Sequence, residues 1–167
     1  MLTHAEVKAL FDYRKDGQLI RKVATAGPSG AIGTVVGCYP KKKHRNNRYA
    51  TTKVSGEHWC VHKLIFFWHH GYVPQQLDHI NRDTLDNRIE NLREANSTQN
   101  ACNRGKFSNN TSGAKGVSWH KAQQKWFVYV DVGKRRKNIG YFDDIELAEL
   151  VALEAREKYH GLYANHF

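Results

Sequence analysis

The chain has 167 residues, with 26 Lys plus Arg against 16 Asp plus Glu and a formal charge of +10 at neutral pH. That length holds one ordinary domain or two small ones, and 40% hydrophobic residues exclude a wholly disordered basic tail. No apolar run approaches the ~18 residues of a membrane span, and the start MLTHAEVKALFDYRKDG puts charges where a signal peptide needs an apolar stretch, so a soluble cytoplasmic protein is expected.

In chain order, residues 19–21, 31–36 and 48–54 read as short strands separated by Gly and polar clusters. Residues 60–69 are apolar and aromatic and predict a helix that ends before Gly71 and Pro74. Residues 93–103 read as a short polar helix. The stretch 105–113, rich in Asn, Ser and Gly and without apolar periodicity, reads as a linker between a first domain at 1–104 and a second at 114–167. Beyond it, 116–119, 126–132 and 138–141 predict three strands, with Gly133-Lys134 in the second turn. Asp143 or Asp144 then caps a helix whose Ala148, Val151, Ala152, Ala155 and Tyr159 share one face, and Gly161 stops it. The fold class is α+β.

The positive charge is divided unevenly. Residues up to 113 carry 17 basic and 9 acidic side chains, and later residues 9 and 7. Within the later part, 115–137 hold seven basic groups and one acid, whereas 143–160 hold six acids and two bases, so one face of that unit is expected to be positive. A small basic chain favours a polyanion, because each neutralised phosphate releases counterions. Nucleic acid is the first candidate. An anionic membrane surface is the second, but no basic run forms the amphipathic helix it would need. Cys38, Cys60 and Cys102 are odd in number and contain no C-x-x-C, so neither a disulfide framework nor an ordinary structural zinc site is encoded. A zinc site assembled from Cys38, His44, Cys60 and His62 is conceivable, but idle thiols are the simpler reading.

The segment LDHINRDTLDNRIENLREANSTQNACN, from Leu77 to Asn103, carries the chemistry. Phosphodiester hydrolysis needs a base to deprotonate water and positive charge near the phosphorane and the departing oxygen. Histidine supplies the first. An Asp carboxylate and an Asn oxygen are hard ligands suited to Mg²⁺ or Mn²⁺, and all three residue types lie within 23 positions.

The pattern D-H-I-N…D-N-R-x-x-N-L-R-x-A…Q-N resembles the phage-type HNH homing endonucleases, over roughly residues 10 to 104. The resemblance implies two strands and a helix around one divalent ion, with Asp78 as a metal ligand, His79 as general base and Asn91 as the central asparagine that ties the loop together. It makes Asn100 the second ligand, with Asn96 as the rival. Adjacent residues on an ideal strand face opposite ways, so the assignment requires Asp78 and His79 to lie at an irregular strand end or bulge. A regular strand through both would misassign one of the two roles. For Asp86, Asn87, Arg88 and Glu90, turn and cap hydrogen bonding is the expected use.

The segment from Gly113 to Gly161 resembles the plant ethylene-response-factor DNA-binding domain, a three-stranded antiparallel sheet on one helix whose sheet enters the major groove. The resemblance points Lys115, Ser118, His120, Tyr129, Asp131, Arg136 and Asn138 toward DNA, with Trp119, Lys121, Lys125 and Arg135 nearby. Gly116, Val117, Trp126, Ile139, Gly140 and Phe142 look like scaffold. Plant members carry arginines where this chain has Ser118, His120, Tyr129 and Asp131, which removes guanine contacts. Together the resemblances imply a metal-dependent endonuclease acting on double-stranded DNA with one Mg²⁺ or Mn²⁺ and no structural zinc. A monomer would nick, and a dimer or two binding events would be needed to cut both strands. The rival classes are a DNA-binding regulator on an inactive nuclease scaffold and an RNA-directed protein.

Overall fold

A computed structural model describes residues 2–27, 30–39 and 49–166. His44 and Arg48 lie outside them. The chain divides into two compact units, Met1–Glu94 and Ala95–Phe167, so the boundary falls before residues 105–113 rather than within them.

The first unit begins with helix α1 (His4–Leu10), which sequence periodicity did not reveal because it is only seven residues long. A reciprocal capping box sets its start: Thr3 Oγ1 accepts from the Glu6 amide, and the Glu6 carboxylate accepts from the Thr3 amide. The antiparallel hairpin β1 (Phe11–Arg14) and β2 (Gln18–Arg21) follows. The strand expected at 31–36 is an irregular segment that touches β2 through an Ile20–Val35 bridge and a Val36-to-Leu19 backbone bond. A second hairpin, β3 (Thr51–Val54) with β4 (Glu57–Cys60), leads into α2 (Val61–His70).

Helix α2 organises this unit. Val61, Leu64 and Ile65 recur at i, i+3 and i+4 and are wholly buried, with Phe66 and Phe67 nearly so. Each contributes about 1.5–3 kcal/mol by leaving water. They pack with Val7, Phe11, Leu19, Val36, Leu77 and Leu92, and the Trp68 indole donates to the Phe11 carbonyl at 2.9 Å. Gly71, at φ 78°, closes the helix in the left-handed region where glycine costs least. Beyond it lies a two-stranded ribbon, β5 (Leu77–His79) and β6 (Leu92–Glu94), with the 80–91 loop between its strands.

The second unit opens on α3 (Ser97–Cys102), so the polar helix expected over 93–103 is in fact a strand end, a cap and a shorter helix. Its N-cap is Asn96, whose Oδ1 accepts from the Gln99 amide while Gln99 Oε1 accepts from the Asn96 amide. Residues 105–113 are built of turns, not left loose: Asn110 Nδ2 donates to the Ala114 carbonyl and Ser112 Oγ to the Val117 carbonyl. Asn and Ser make a sequence look flexible, but their side chains substitute for backbone partners here.

Strands β7 (Val117–His120), β8 (Lys125–Val132) and β9 (Arg135–Phe142) form an antiparallel sheet in the order β7-β8-β9, and α4 (Ile145–His160) packs on it. Asp144 caps α4 through the Leu147 amide. Val117, Val128, Ala148 and Ala152 are buried between sheet and helix, with Trp126, Ile139, Phe142 and Val151 against them. A bulge at Ile139 lets Val128 pair with Gly140 and Tyr129 with Asn138, so Asn138 and Tyr141 share the sheet face away from α4.

Gly17, at φ 84° in the β1–β2 turn, lies against the 80–91 loop: a Cβ there would sit 2.5 Å from the Arg88 nitrogen and 2.7 Å from the Asn87 carbonyl carbon. Gly17→Ala is therefore expected to cost at least the ~1–2 kcal/mol of a left-handed L-residue, plus displacement of that loop. A drop in the urea midpoint with unchanged slope would show this, and an unchanged midpoint would contradict it.

Candidate functional site

The site of the first unit is built on the β5–β6 ribbon. His79 is the last residue of β5 and only 4% exposed, and its Nε2 lies 3.1 Å from Asn87 Oδ1. A proton on Nε2 would satisfy that oxygen and leave Nδ1 as the accepting nitrogen. The His62 ring meets His79 edge-on at 5.2 Å, and the Tyr49 ring lies 6.0 Å away. Burial, followed by the charge that His79 and Lys63 would add, pushes the His62 imidazole down to about 3. His62 is thus a neutral wall at physiological pH and adds no positive charge beside His79.

The loop that supplies Asn87 is held from both ends. Asn91 Oδ1 accepts from the Asn81 amide, and its Nδ2 donates to Asn81 Oδ1 and to the Asp86 carbonyl, at 2.7–2.9 Å. The Ile80 amide donates to the Asn91 carbonyl, so this one residue closes the ten-residue span back onto the strand end. Asp86 takes two bonds from the Arg88 guanidinium, one from the Arg88 amide and one from Asn81, and the guanidinium first, then the backbone and Asn81, hold its carboxyl at about 2. Tyr13 on β1 accepts the Ile89 amide at 3.0 Å, which anchors the loop to the amino-terminal hairpin.

Pairing along β5 is regular, Asp78 opposite Arg93 and His79 opposite Leu92. The irregular end or bulge that the two sequence-derived roles require is absent. Alternation sends the side chains to opposite sides: Asp78, 5% exposed, accepts two bonds from Arg93 at 2.7–2.8 Å, while His79 turns toward Asn87 and His62. The two roles therefore do not share one face of the strand. His79 keeps the geometry of a base, and the carboxylate of Asp78 is engaged by a guanidinium.

Asn87 and Tyr13 are the residues that sequence reasoning undervalued. Turn hydrogen bonding is indeed the use of Asp86 and Arg88, but Asn87 is 1% exposed and faces the histidine. The spacing D-H…D-N, eight residues from His79, is the signal that could have marked it.

In the second unit, α3 carries both asparagines weighed as the further ligand. Asn96 spends its side-chain oxygen on the helix cap, whereas Asn100, half-buried, lies one turn further on. The residues expected to face DNA separate by strand parity. Ser118, His120, Tyr129, Asp131, Arg136 and Asn138 share the face away from α4. Trp119 and Arg135 have the opposite parity, and Trp119 packs edge-on against Trp126 at 5.0 Å. Lys115 does not point outward: its ammonium donates to the carbonyls of Cys102, Arg104 and Asn165 at 2.6–3.0 Å, which takes it out of the set of DNA contacts. Lys125 pairs with Asp143, and exposed Lys121 lies in the β7–β8 turn.

Among the described residues no three or more His, Cys, Asp or Glu cluster as a metal site, and no helix is long and apolar enough to cross a membrane. The donors the sequence singles out, one buried carboxylate and one amide oxygen, are chemically suited to a hard divalent cation whose remaining positions are taken by water and phosphate.

A family model described as HNH endonuclease matches residues 60–102, from the N-cap of α2 to the end of α3. The chain is also similar to protein 3.8 of Escherichia phage T7, 34% identical over 98 residues that make up 56% of this chain and 78% of that protein. The chain carries an HNH endonuclease domain at residues 60–102 and belongs to one family with that phage protein. No solved structure matches it significantly.

The depressed His62 sets a pH dependence. Its folded value of about 3 lies below the unfolded 6.5, so the unfolded state binds the extra proton as pH falls. The stability that neutral His62 contributes is complete above pH ~6.5 and is lost progressively toward pH ~3. Chemical denaturation of wild type and His62→Leu between pH 7 and 4 should show the steeper loss in wild type, and parallel curves would contradict the assignment.

Proposed function

We propose that the chain is a metal-dependent endonuclease that hydrolyses phosphodiester bonds of duplex DNA. The observation that carries this reading is the buried His79 whose Nε2 is tied to Asn87, inside the segment that matches the HNH endonuclease model. His79 Nδ1 takes a proton from water as that oxygen attacks phosphorus. The bond from phosphorus to the 3′ oxygen breaks, leaving a 5′ phosphate and a 3′ hydroxyl. Asn87 holds the imidazole, and Asn91 holds the loop that presents Asn87. Metal dependence is proposed from the family resemblance, which names Asp78 and Asn100 as ligands of one Mg²⁺ or Mn²⁺ that would supply positive charge for the phosphorane and the departing oxygen. For Asp78 this rests on the D-H pattern alone and requires Arg93 to share the carboxylate.

For the second unit we propose a DNA-holding role on the sheet face that carries Ser118, His120, Tyr129, Arg136 and Asn138. This is the surface that the ethylene-response-factor resemblance puts against DNA, and exposed Lys121 lies at its end in the β7–β8 turn. With one such histidine site per chain, a monomer nicks and a double-strand break takes two binding events. A homing-type enzyme acting in the cytoplasm of an infected bacterium is the setting that the family resemblance suggests, and the phage T7 relative supports its phage part.

Incubation of wild type and His79→Ala with supercoiled plasmid and Mg²⁺ tests the reading. Loss of a general base should slow nicking by roughly 10²- to 10⁴-fold while DNA binding persists. Equal rates would remove His79 from the chemistry, and no cleavage by wild type with any divalent ion would favour a DNA-binding regulator instead.

A further inference from the structure

The sheet face away from α4 is aromatic at its centre. Phe127 lies 4.9 Å from Tyr141, 5.8 Å from Tyr129 in a stacked arrangement and 6.4 Å from His120, and His120 meets Tyr141 at 5.2 Å. The Arg136 guanidinium covers the Tyr129 ring at 3.8 Å from its centroid. Strand parity puts all of them on one surface, and the bulge at Ile139 keeps Tyr141 there beside Asn138. The core does not need these rings, because Val117, Trp126, Val128, Ile139 and Phe142 fill the opposite face. Tyr141 remains 41% exposed.

This surface is poorly suited to a duplex groove. A paired base hides its flat face in the stack and shows only its edge, where a ring finds little but the thymine methyl. Arg136, the cation nearest the centre, is held by Asp131 at 2.9–3.2 Å as well as by Tyr129, and the Asp131 carboxylate repels a phosphate that comes down on the face. An unpaired strand has the complementary chemistry: flat bases to lay on rings and on the outer plane of a guanidinium, and a backbone that can run along the rim. The rim carries exposed Lys121 and Lys134 in the two turns.

We propose that the outer face of the β7-β8-β9 sheet is a stacking platform for unpaired bases and binds single-stranded DNA in preference to duplex, with His120, Phe127, Tyr129, Arg136 and Tyr141 as its contact residues. The proposal rests on DNA being the ligand of this chain. It gives the second unit a preference for nicked, gapped or forked DNA, where a free strand adjoins the duplex to be cut.

The test uses the full chain carrying His79→Ala, with fluorescence anisotropy on a labelled 20-nucleotide single strand, its duplex and the RNA of the same sequence at one salt concentration. The single DNA strand should bind most tightly. Tyr141→Ala and Phe127→Ala should each weaken it by roughly 5- to 150-fold, while Tyr141→Trp restores it and thermal melting shows each variant folded. Duplex binding equal to or tighter than the single strand overturns the platform, as does insensitivity of single-strand binding to both alanine variants. Tighter binding of the RNA overturns DNA as the occupant. Self-association that Tyr141→Ala abolishes would make the face a contact between copies and overturn it as well. Cleavage is read separately on wild type: a chain that cuts plasmid but prefers duplex loses the platform and keeps the nuclease reading, and a chain that prefers single strands but never cuts does the reverse.

Discussion

A buried histidine can serve as a base only if one ring nitrogen is fixed and the other keeps its lone pair, and here the hydrogen bond between His79 and Asn87 fixes it. Much of the first unit holds those two residues 3.1 Å apart. Asn87 is on a loop whose regular structure is a single 3₁₀ turn at Ile89–Asn91, so its position is inherited. Asn91 and Asn81 lock the two ends of that loop together, Tyr13 hangs it from the first hairpin, and Gly17 makes room for its backbone. Helix α2 supplies the apolar support underneath and, through His62, a wall that does not protonate at physiological pH.

The electrostatics around the ribbon are asymmetric. On the His79 side the rings of Tyr49 and His62 lie against the imidazole, and His62 is neutral at physiological pH. On the other side Asp78 and Arg93 form a buried ion pair across the strands. Such a pair costs desolvation on both partners and stabilises little for its own sake. Beside the histidine of the D-H motif, it fixes the position of the carboxylate. The family pattern and strand geometry disagree about Asp78, and the Arg93 bond is where that disagreement is physically located.

Much of the site was legible from residue types and spacing, because the Asp78-His79 pair, Asn91 and the loop between them are contiguous in sequence. The role of Asn87 was not, since burial decides between a turn-former and a partner for histidine, and burial comes from Tyr13 and Gly17, more than 65 positions upstream. The three strands and helix of the second unit were readable because β7, β8, β9 and α4 follow simple alternation and helical periodicity. What alternation could not give was the bulge at Ile139, which decides which side chains of β9 share a face. The reading of 105–113 as a linker failed for a related reason: Asn110 and Ser112 look like solvent-loving residues but serve as local hydrogen-bond partners. Lys115 likewise counts as positive charge in composition, yet in the fold its charge stays within its own unit.

The central claim is that Asn87 holds His79 as the Nε2-protonated tautomer, with Nδ1 as the accepting nitrogen. Imidazole ¹⁵N chemical shifts of the wild-type protein, with His79 assigned by comparison to His79→Ala, measure this directly at neutral pH. A protonated Nε2 and an unprotonated Nδ1, reversed or averaged in Asn87→Ala, is the result this geometry requires. A proton on Nδ1 in wild type, or a tautomer unaffected by loss of Asn87, would contradict it.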